Sequence, residues 1–396
     1  MLCAMVAGEK CDVAVIGAGI QGAGVAQALA AAGYQVRVLE KSHPAAGTSC
    51  KSSKLIHGGL RYLETFEFGL VRESLKERAT LLRIAPHLVR LVPFHIPVYK
   101  GMNRGPLTIR AGLSLYAMLG GFGKEARFST VPKDSWDLLD GLNTDKLRAV
   151  YRYHDGQTDD AALCRAVITS AHELGAHIML GAELISAEAD SHGWTLRYHQ
   201  EEAVHELHAR VVVNAAGPWV AQVLDHFTPK PPHREIDLVG GTHIEIEGSL
   251  EQGIYYTEAP SDSRAVFSMP WKGRILVGTT EQPTRDPDDP QPTQAEVEYL
   301  LETFGHHFPG REPTVLDAWA GLRVLPRAES ASFSRSREVV LVQNHKQRPS
   351  VLSVYGGKLT GYRATAERVR KCIAPSLGHA ERKADTATLR LPNLSS

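Results

Sequence analysis

Three glycines in the pattern Gly17-x-Gly19-x-x-Gly22 constrain the fold of the N-terminal region more than any other feature of the sequence. They follow a short apolar run, residues 12–16, that is typical of a buried parallel strand. An alanine-rich stretch and a second apolar run, residues 36–40, come next. Strand, glycine turn, helix and strand together have the size of one βαβ unit, so the sequence predicts an α/β fold.

Each glycine has a place in the binding of a dinucleotide. Gly17 permits the tight turn, Gly19 lets backbone amides approach a pyrophosphate at the helix N-terminus, and Gly22 lets the helix close on the sheet. Glu40 ends the second strand, where its carboxylate can accept hydrogen bonds from ribose hydroxyls and would repel a 2′-phosphate. The pattern predicts a dinucleotide site; a glycine-rich turn without a ligand is the alternative.

Composition excludes several classes of protein. The 396 residues include 44 basic and 44 acidic side chains, so no overall charge attracts nucleic acid, and we predict no nucleic-acid partner. Five scattered cysteines without a C-x-x-C pair argue against disulfides and metal clusters, so we predict no metal site and a cytoplasmic location. No apolar run reaches the length that spans a bilayer.

Two later motifs favour FAD over NAD as the cofactor. Residues 211–219, Val-Val-Val-Asn-Ala-Ala-Gly-Pro-Trp, form a strand ending in small residues and resemble the second flavin-domain motif of the large flavoprotein oxidoreductases. Residues 356–360, Gly-Gly-Lys-Leu-Thr, form a glycine turn before a helix, whose N-terminus can face the electron-rich pyrimidine edge of a flavin. FAD is therefore the expected cofactor.

Between residues 236 and 280 the sequence changes to short alternating runs separated by turn residues, which predict an antiparallel sheet. The expected fold class is α/β (α+β overall), with a Rossmann-like FAD-binding domain and an inserted antiparallel-sheet substrate domain. The predicted FAD-binding domain is discontinuous and comprises residues 1–92, 150–232 and 318–396. The predicted substrate-binding domain comprises residues 93–149 and 233–317.

Residues 48–64 carry a long signature, Thr-Ser-Cys-Lys-Ser-Ser-Lys-Leu-Ile-His-Gly-Gly-Leu-Arg-Tyr-Leu-Glu. The signature resembles that of the FAD-dependent glycerol-3-phosphate dehydrogenases, the quinone-linked enzymes of aerobic glycerol use. Matching motifs follow in order at 217–219, 278–280, 321–323 and 356–363, so the resemblance spans nearly the whole chain. It implies the two-lobed fold of the amino-acid-oxidase-like flavoenzymes. It also implies oxidation of sn-glycerol 3-phosphate to dihydroxyacetone phosphate by hydride transfer to flavin N5, with electrons passed to quinone.

The substrate half departs from the family's pattern. Glu281 stands where the family usually has aspartate, Val324 follows Arg323 where it usually has proline, and Glu338 follows Arg337 where it usually has aspartate and then tyrosine. The family usually continues as a helical C-terminal domain, whereas this chain stops at Ser396. Two alternatives therefore stay open: an FAD-dependent oxidase or dehydrogenase of another hydroxy acid, sugar phosphate or amine, and a flavin-binding protein without turnover.

Oxidation of a polyol phosphate needs cations for the phosphate and a base for the hydroxyl proton. The resemblance suggests Arg61, Arg323, Arg337 and Lys358 for the phosphate and His243 as the base, with His57 as a second candidate base or a flavin contact. The alternatives are structural ion pairs and histidines that only bond the backbone. Asp159 and Asp160 precede a predicted helix and are interpreted as structural, helix-capping residues. The expected FAD contacts are Gly17, Gly19, Ile20, Gln21, Gly22, Glu40, Lys41, Thr48, Ser49, Ser53, Lys54, Leu55, His57, Gly58, Gly59, Ala215, Ala216, Gly217, Trp219, Gly321, Gly357, Lys358, Leu359 and Thr360.

Segment 105–123 contains a single charge, Arg110, and follows a basic region. From Arg72 to Arg110 eight basic residues and two acids leave a local charge of +6. A basic region beside a short apolar helix is typical of binding to anionic lipid. We therefore expect the protein to attach peripherally to the inner face of the cytoplasmic membrane through Leu113 and Leu115; a core helix is the alternative.

Overall fold

The computed structural model describes residues 9–121, 123, 126–284, 286–327 and 338–394. Its strands, in chain order, are β1 (Glu9–Ile16), β2 (Val36–Glu40), β3 (Leu55–Ile56), β4 (Val89–Tyr99), β5 (Ser129–Thr130), β6 (Leu147–Thr158), β7 (His177–Leu180), β8 (Glu183–Ala189), β9 (Trp194–Gln200), β10 (Ala203–Asn214), β11 (Phe227–Thr228), β12 (Ile236–Ile246), β13 (Ile254–Glu258), β14 (Ala265–Trp271), β15 (Arg274–Gly278), β16 (Gln282–Thr284), β17 (Val315–Pro326), β18 (Val340–Gln343) and β19 (Val351–Tyr355). Its α-helices are α1 (Ile20–Ala31), α2 (Phe68–Ile84), α3 (Pro106–Leu119), α4 (Asp160–Glu173), α5 (Val220–Asp225), α6 (Gln294–His307) and α7 (Tyr362–Leu377).

Nine strands form one sheet, which we call the cofactor sheet. Its main path is β11-β8-β9-β10-β1-β2-β7, and β19 lies beside β10 with β18 beyond it. Strand β1 is parallel to β2 and to β10, and β10 is parallel to β19. The βαβ unit predicted from the glycine pattern is therefore confirmed, and the α/β fold class with it.

Helix α1 lies in the middle of this domain because its side chains are small. Seven of its twelve residues are alanine or glycine, and nearly every position is buried. Helices α4 and α7 both pack against α1. Small side chains let three helices approach one another closely, which fixes the N-terminus of α1 relative to the sheet.

Ten strands form the second sheet, which we call the substrate sheet. Its order is β16-β12-β15-β14-β13-β4-β6-β3, with β17 on β12 and β5 on β6. Strands β12 to β15 are antiparallel where they pair, as the alternating pattern predicted. Strand β17 pairs with β12 along its length, from Pro326 to Val315, and β4 begins at residue 89. The substrate sheet thus includes residues 55–56, 89–92, 150–158 and 318–326, which the sequence-based boundaries placed in the FAD-binding domain.

Segment 105–123 contains helix α3, which is buried on one face only. Leu113 is 1% exposed, whereas Leu107 is 82% and Met118 51% exposed. The expectation that Leu113 faces a membrane is therefore wrong, because this side chain packs in the apolar core of the substrate sheet. Leu115 is half-buried against the same core. Within the described ranges, no helix has the length and apolar character needed to cross a bilayer.

The charge excess beside α3 is smaller at the surface than the sequence count suggests. Arg78 is buried and its guanidinium lies 2.6 Å from the Asp155 carboxylate. Arg104 pairs with Glu64 and with Glu258. A buried or paired cation contributes little to a lipid-facing field, so only part of the predicted +6 is available there.

Burial lowers the pKa of two histidines of the substrate domain, His95 and His307, from 6.5 to about 4. His95 stacks on Tyr255, and His307, at the end of α6, bonds the Glu258 carbonyl oxygen through Nε2 at 2.8 Å. Both are neutral in the folded chain at pH 5, whereas in the unfolded chain they bind protons below pH 6.5. The unfolded state then binds more protons, so stability falls as pH falls through this range.

We expect the free energy of unfolding to drop by about 2 kcal/mol per histidine between pH 6.5 and pH 5. Urea denaturation at the two pH values measures this drop. In His307→Gln, whose side chain can still donate to the Glu258 carbonyl, the part of the drop caused by His307 should disappear. His379→Gln, at an exposed position, should show the same drop as the wild type. An equal drop in His307→Gln and in the wild type would contradict the assignment.

Candidate active site

One cavity of about 620 Å³ is lined by residues of both sheets. It lies at the carboxyl ends of β1 and β2, next to the glycine turn that joins β1 to α1. Strands β12 and β17 contribute the wall on the substrate side, through Gly241, His243 and residues 321–326. Ligands of open α/β sheets bind at the carboxyl ends of the strands, so this cavity is the candidate active site.

The glycine turn has the backbone that the sequence pattern requires. Gly17 has a φ of +97°, and a Cβ on it would lie 2.9 Å from the Ala215 carbonyl oxygen. A Cβ on Gly22 would overlap the carbonyl oxygen of Gly17. The turn, α1 and the end of β10 are thus packed backbone to backbone. Gly19 offers no side chain to cap α1, and Ser49 Oγ accepts a hydrogen bond from Ile20 N at 2.9 Å.

Glu40 is fixed at the end of β2 by the backbone around it. Its Oε2 accepts a hydrogen bond from Ala18 N at 2.7 Å, and its Oε1 accepts one from Ser42 N at 2.9 Å. The side chain is buried and lines the cavity. The carboxylate therefore holds the glycine turn in place and lies where an adenosine ribose is expected from the motif.

Three residues from both lobes close the cavity near Glu40. Trp219 Nε1 donates a hydrogen bond to Asp288 Oδ1 at 2.6 Å, and Lys41 Nζ lies 4.6 Å from the centroid of the Trp219 ring. Asp288 comes from the proline-rich loop between β16 and α6 of the substrate domain. Lys41 and Trp219 were predicted from the sequence, and Asp288 was not.

The signature around residue 57 and the motif at 356–360 meet at the other part of the cavity. His57 N donates a hydrogen bond to Thr360 Oγ1 at 3.2 Å, although the two residues are 303 positions apart. Lys358 Nζ lies 3.6 Å from the centroid of the Tyr62 ring. Gln21 Nε2 donates to the Lys358 carbonyl oxygen at 3.3 Å. These contacts place the start of α1, the signature and the motif at 356–360 around one space.

His243 lies on β12 with its ring held between neighbours. It stacks on Trp319 at 4.3 Å between ring centroids, and its Nε2 is 2.9 Å from Ser53 Oγ. Gly278 is the residue on β15 that pairs with His243. A Cβ on Gly278 would lie 2.2 Å from the imidazole, so only glycine leaves room for the ring. The position and the plane of the imidazole are therefore fixed by the sheet.

Burial lowers the pKa of His243 well below its ordinary value, and the positive charges of Arg323 and Lys54 lower it further. The Gly241 backbone acts in the opposite direction and does not outweigh them. His243 is consequently a neutral imidazole at neutral pH, which is the form that can accept a proton.

Arg323 lies on β17 and forms an ion pair with Glu281. Its NH1 is 2.6 Å from Glu281 Oε1, and the Glu281 side chain is 9% exposed. Glu281 is one of the positions at which the sequence departs from the family's pattern. A guanidinium carries five N–H donors in a planar fork, so pairing with one carboxylate is compatible with contact to a phosphate as well.

Most residues predicted to contact FAD line the cavity; the exceptions are Gly22, Lys54, Gly58 and Gly59. Lys54 Nζ is buried and lies 2.8 Å from Asp160 Oδ1, so the ammonium group holds the signature loop on α4 and does not face the cavity. Among the predicted anion ligands, Arg323 and Lys358 line the cavity, Arg61 lies outside its wall, and Arg337 falls outside the described residues. Both candidate bases, His243 and His57, line it.

The interpretation of Asp159 and Asp160 as structural residues is confirmed. Asp159 caps α4, since its Oδ1 accepts a hydrogen bond from Ala162 N at 3.0 Å. Asp160 accepts from Ser52 N and Ser52 Oγ in addition to its ion pair with Lys54. Asp159 thus caps α4, and Asp160 fixes the signature loop on the start of that helix.

Several lining residues were missed by reasoning from sequence. Thr279 and Gly241 face the cavity beside His243, and Tyr62 faces it beside Lys358. Thr279 belongs to the Gly-Thr-Thr motif at 278–280, so that motif already carried a signal for it. Asp288 lies in a loop with no recognisable pattern, and nothing in its neighbours indicates its contact with Trp219.

The residues around the cavity fit FAD. The α1 amides and the glycine turn suit a pyrophosphate, Glu40 suits a ribose, and residues 215–217 are small enough for a ring system to pass. Gln21 Oε1 is enclosed here and accepts no hydrogen bond from the described part of the chain, so it can accept one from a bound cofactor. Within the same part of the chain, no group of histidine, cysteine and carboxylate side chains could hold a metal ion.

Comparison with known proteins agrees with this geometry. The family model for FAD-dependent oxidoreductases matches residues 12–363. The chain is 37% identical to a glycerol-3-phosphate dehydrogenase of Pseudomonas tolaasii, covering 93% of this chain and 72% of that protein. It is 34% identical to D-erythritol 1-phosphate dehydrogenase of Brucella abortus, covering 93% and 75%. The solved structure of glycerol-3-phosphate dehydrogenase from Bacillus halodurans, complexed with FAD, superposes with a TM-score of 0.74 at 27% identity, covering 96% of this chain and 68% of that one.

Fold, cavity and family model together define an FAD-dependent oxidoreductase, and FAD is its cofactor. Within that class, the chain belongs to the family of the glycerol-3-phosphate dehydrogenases. The resemblance noted in the signature at 48–64 is confirmed, as is the choice of FAD over NAD.

Proposed function

We propose that the protein oxidises sn-glycerol 3-phosphate to dihydroxyacetone phosphate. The observation that carries this proposal is the presence of a neutral histidine, His243, and an arginine, Arg323, in the wall of the cavity that fits FAD. A secondary alcohol that bears a phosphate needs a proton acceptor and an anion ligand at one place. The names of the relatives from Pseudomonas tolaasii and Bacillus halodurans support the same substrate.

The two lobes have separate tasks in this proposal. The cofactor sheet with α1, α4 and α7 forms the FAD-binding domain, and the substrate sheet with α6 forms the substrate-binding domain. The amides at the start of α1 would hold the pyrophosphate, Glu40 the ribose, and His57 with residues 356–360 would enclose the flavin ring. When bound, FAD supplies a hydride acceptor.

His243 would accept the proton of the C2 hydroxyl. Its Nε2 is the ring nitrogen nearest to Ser53 Oγ, so the serine hydroxyl can hold the substrate oxygen or pass its proton to the imidazole. Stacking on Trp319 keeps the ring from rotating away. A base already in its neutral form at neutral pH needs no prior loss of a proton.

Arg323 would bind the phosphate, with Lys358 as a second positive charge near the flavin. The ion pair with Glu281 orients the Arg323 guanidinium and limits the positive charge that the substrate meets. Arg61 lies outside the cavity wall, so we assign it no contact with the phosphate. Arg337 remains a candidate anion ligand from the sequence.

Anaerobic mixing of the FAD-loaded protein with sn-glycerol 3-phosphate tests the proposal. The flavin absorbance should bleach, and dihydroxyacetone phosphate should appear in equal amount. D-Erythritol 1-phosphate, glycerol and an amino acid serve as comparison reductants; the first is included because a relative that is 34% identical carries its name. Bleaching by another of these compounds and none by glycerol 3-phosphate would contradict the substrate assignment.

Replacing the proposed base tests its role separately. His243→Asn should slow flavin reduction by glycerol 3-phosphate by roughly 100- to 10,000-fold while FAD still binds. Because the pKa of His243 lies well below 6.5, wild-type reduction should not slow between pH 8 and pH 6.5 and should slow only in more acid solution. His226→Asn, at another histidine of the cavity wall, is the matched control. If His243→Asn and His226→Asn reduce the flavin at similar rates, His243 is not the base.

We further propose that electrons pass to quinone at an anionic membrane surface that α3 meets. Leu107 and Met118 project from α3, and Phe66, 77% exposed, lies on the turn before the neighbouring α2. Exposed Arg72, Lys76 and Arg110 lie on the same two helices. Apolar side chains among cations suit the interface of anionic lipid.

Sedimentation with anionic vesicles at low salt measures this attachment. Wild-type protein should sediment, and the double variant Leu107→Glu with Met118→Glu should stay in solution. Leu180→Glu, at an exposed leucine on β7 of the cofactor sheet, should sediment like the wild type. Absence of wild-type protein from the vesicle pellet would refute the attachment.

A further inference from the structure

The hydroxyl of Tyr116 reaches from helix α3 to the turn at residues 57–59. It accepts a hydrogen bond from Gly58 N at 2.8 Å and donates one to Asp155 Oδ2 at 2.6 Å. Tyr116 is 1% exposed, so water does not compete for either bond. A buried amide that loses its acceptor destabilises the conformation that placed it there.

Asp155 and Arg78 fix the position of that hydroxyl. Asp155 Oδ1 lies 2.6 Å from Arg78 NH1, and both side chains are buried. Arg78 NH1 also donates to the His154 carbonyl oxygen at 3.0 Å. Burial and the neighbouring Asp155 carboxylate raise the pKa of Tyr116, which keeps its hydroxyl protonated and donating. The chain of contacts thus runs from α2 through β6 and α3 to Gly58.

The same turn is held on its other side by Thr360. His57 N donates to Thr360 Oγ1, and Thr360 precedes α7 of the cofactor domain. The fit around Gly58 is close, because a Cβ there would lie 2.4 Å from the Tyr116 hydroxyl and 2.7 Å from Leu75. The His57 amide is therefore held by the cofactor domain and the Gly58 amide by the substrate domain.

We propose that Tyr116 is a positioning residue that, with Asp155 and Arg78, holds the turn at residues 57–59 against the flavin. The proposal rests on the assignment of this turn to the flavin ring under the proposed function. Tyr116 itself does not line the cavity, so it acts only through the Gly58 amide. Removing its hydroxyl leaves the aromatic core in place and frees the turn from the substrate domain.

Tyr116→Phe tests the proposal, with Tyr151→Phe as the matched control. The Tyr151 hydroxyl donates to the Pro106 carbonyl oxygen at 2.9 Å, so its loss also removes one bond to α3 but none to the turn. Tyr116→Phe should bind FAD roughly five- to a hundred-fold more weakly than the wild type. The peptide containing residues 55–60 should also exchange its amide hydrogens faster. Tyr151→Phe should match the wild type in both measurements.

Wild-type FAD affinity and wild-type exchange in Tyr116→Phe would overturn the proposal. If Tyr116→Phe does not fold, hydrogen exchange of the wild-type apoprotein decides: the Gly58 amide should be strongly protected without FAD, and rapid exchange there would overturn the proposal. Neither measurement uses a substrate. A wild-type protein that glycerol 3-phosphate does not reduce would therefore refute the proposed substrate and leave the result on Tyr116 standing.

Discussion

A buried ion pair between Lys54 and Asp160 is the interaction on which the site depends. Lys54 Nζ lies 2.8 Å from Asp160 Oδ1 and also donates to the Cys50 carbonyl oxygen, while Asp160 Oδ2 accepts two hydrogen bonds from Ser52. A buried pair is tolerated only when its remaining polar atoms are satisfied, and here they are bonded to the loop itself. Loss of one partner from such a pair typically costs 3–5 kcal/mol, so the signature loop is pinned to the start of α4.

The pinned loop determines what the rest of the cavity can do. It presents Ser49 to the start of α1, Ser53 to His243, and Thr48 to the Leu322 carbonyl oxygen of β17. The Lys54 charge also contributes to the low pKa of His243. Burial and Arg323 lower the pKa of His243 more than Lys54 does. Lys54 thus ties the signature loop to α4 and adds to the effects that keep the proposed base neutral.

Local patterns in the sequence were sufficient for the elements and for much of the cavity. The glycine turn, the acid at Glu40 and the alternation from 236 to 280 depend on neighbours in the chain, and each appears as predicted. Long-range contacts were not predictable in this way. The range 318–326 has the composition of any buried strand, and only its pairing with β12 places it in the substrate sheet. A helix with a single charge does not reveal which face is buried, so the sequence does not distinguish Leu113 from Leu107. Lys54 looked like a cofactor contact because its partner, Asp160, is more than a hundred positions away.

The central claim is that one cavity between the two sheets holds FAD and the phosphorylated substrate, with the reacting carbon next to His243. A crystal structure of the FAD-loaded protein with dihydroxyacetone phosphate tests it most directly. We expect a flavin ring beside His57 and residues 356–360, the product phosphate in hydrogen-bond contact with Arg323, and the product carbonyl oxygen within hydrogen-bond distance of His243 Nε2 or Ser53 Oγ. A product phosphate bound away from Arg323, with the carbonyl out of reach of His243, would contradict it.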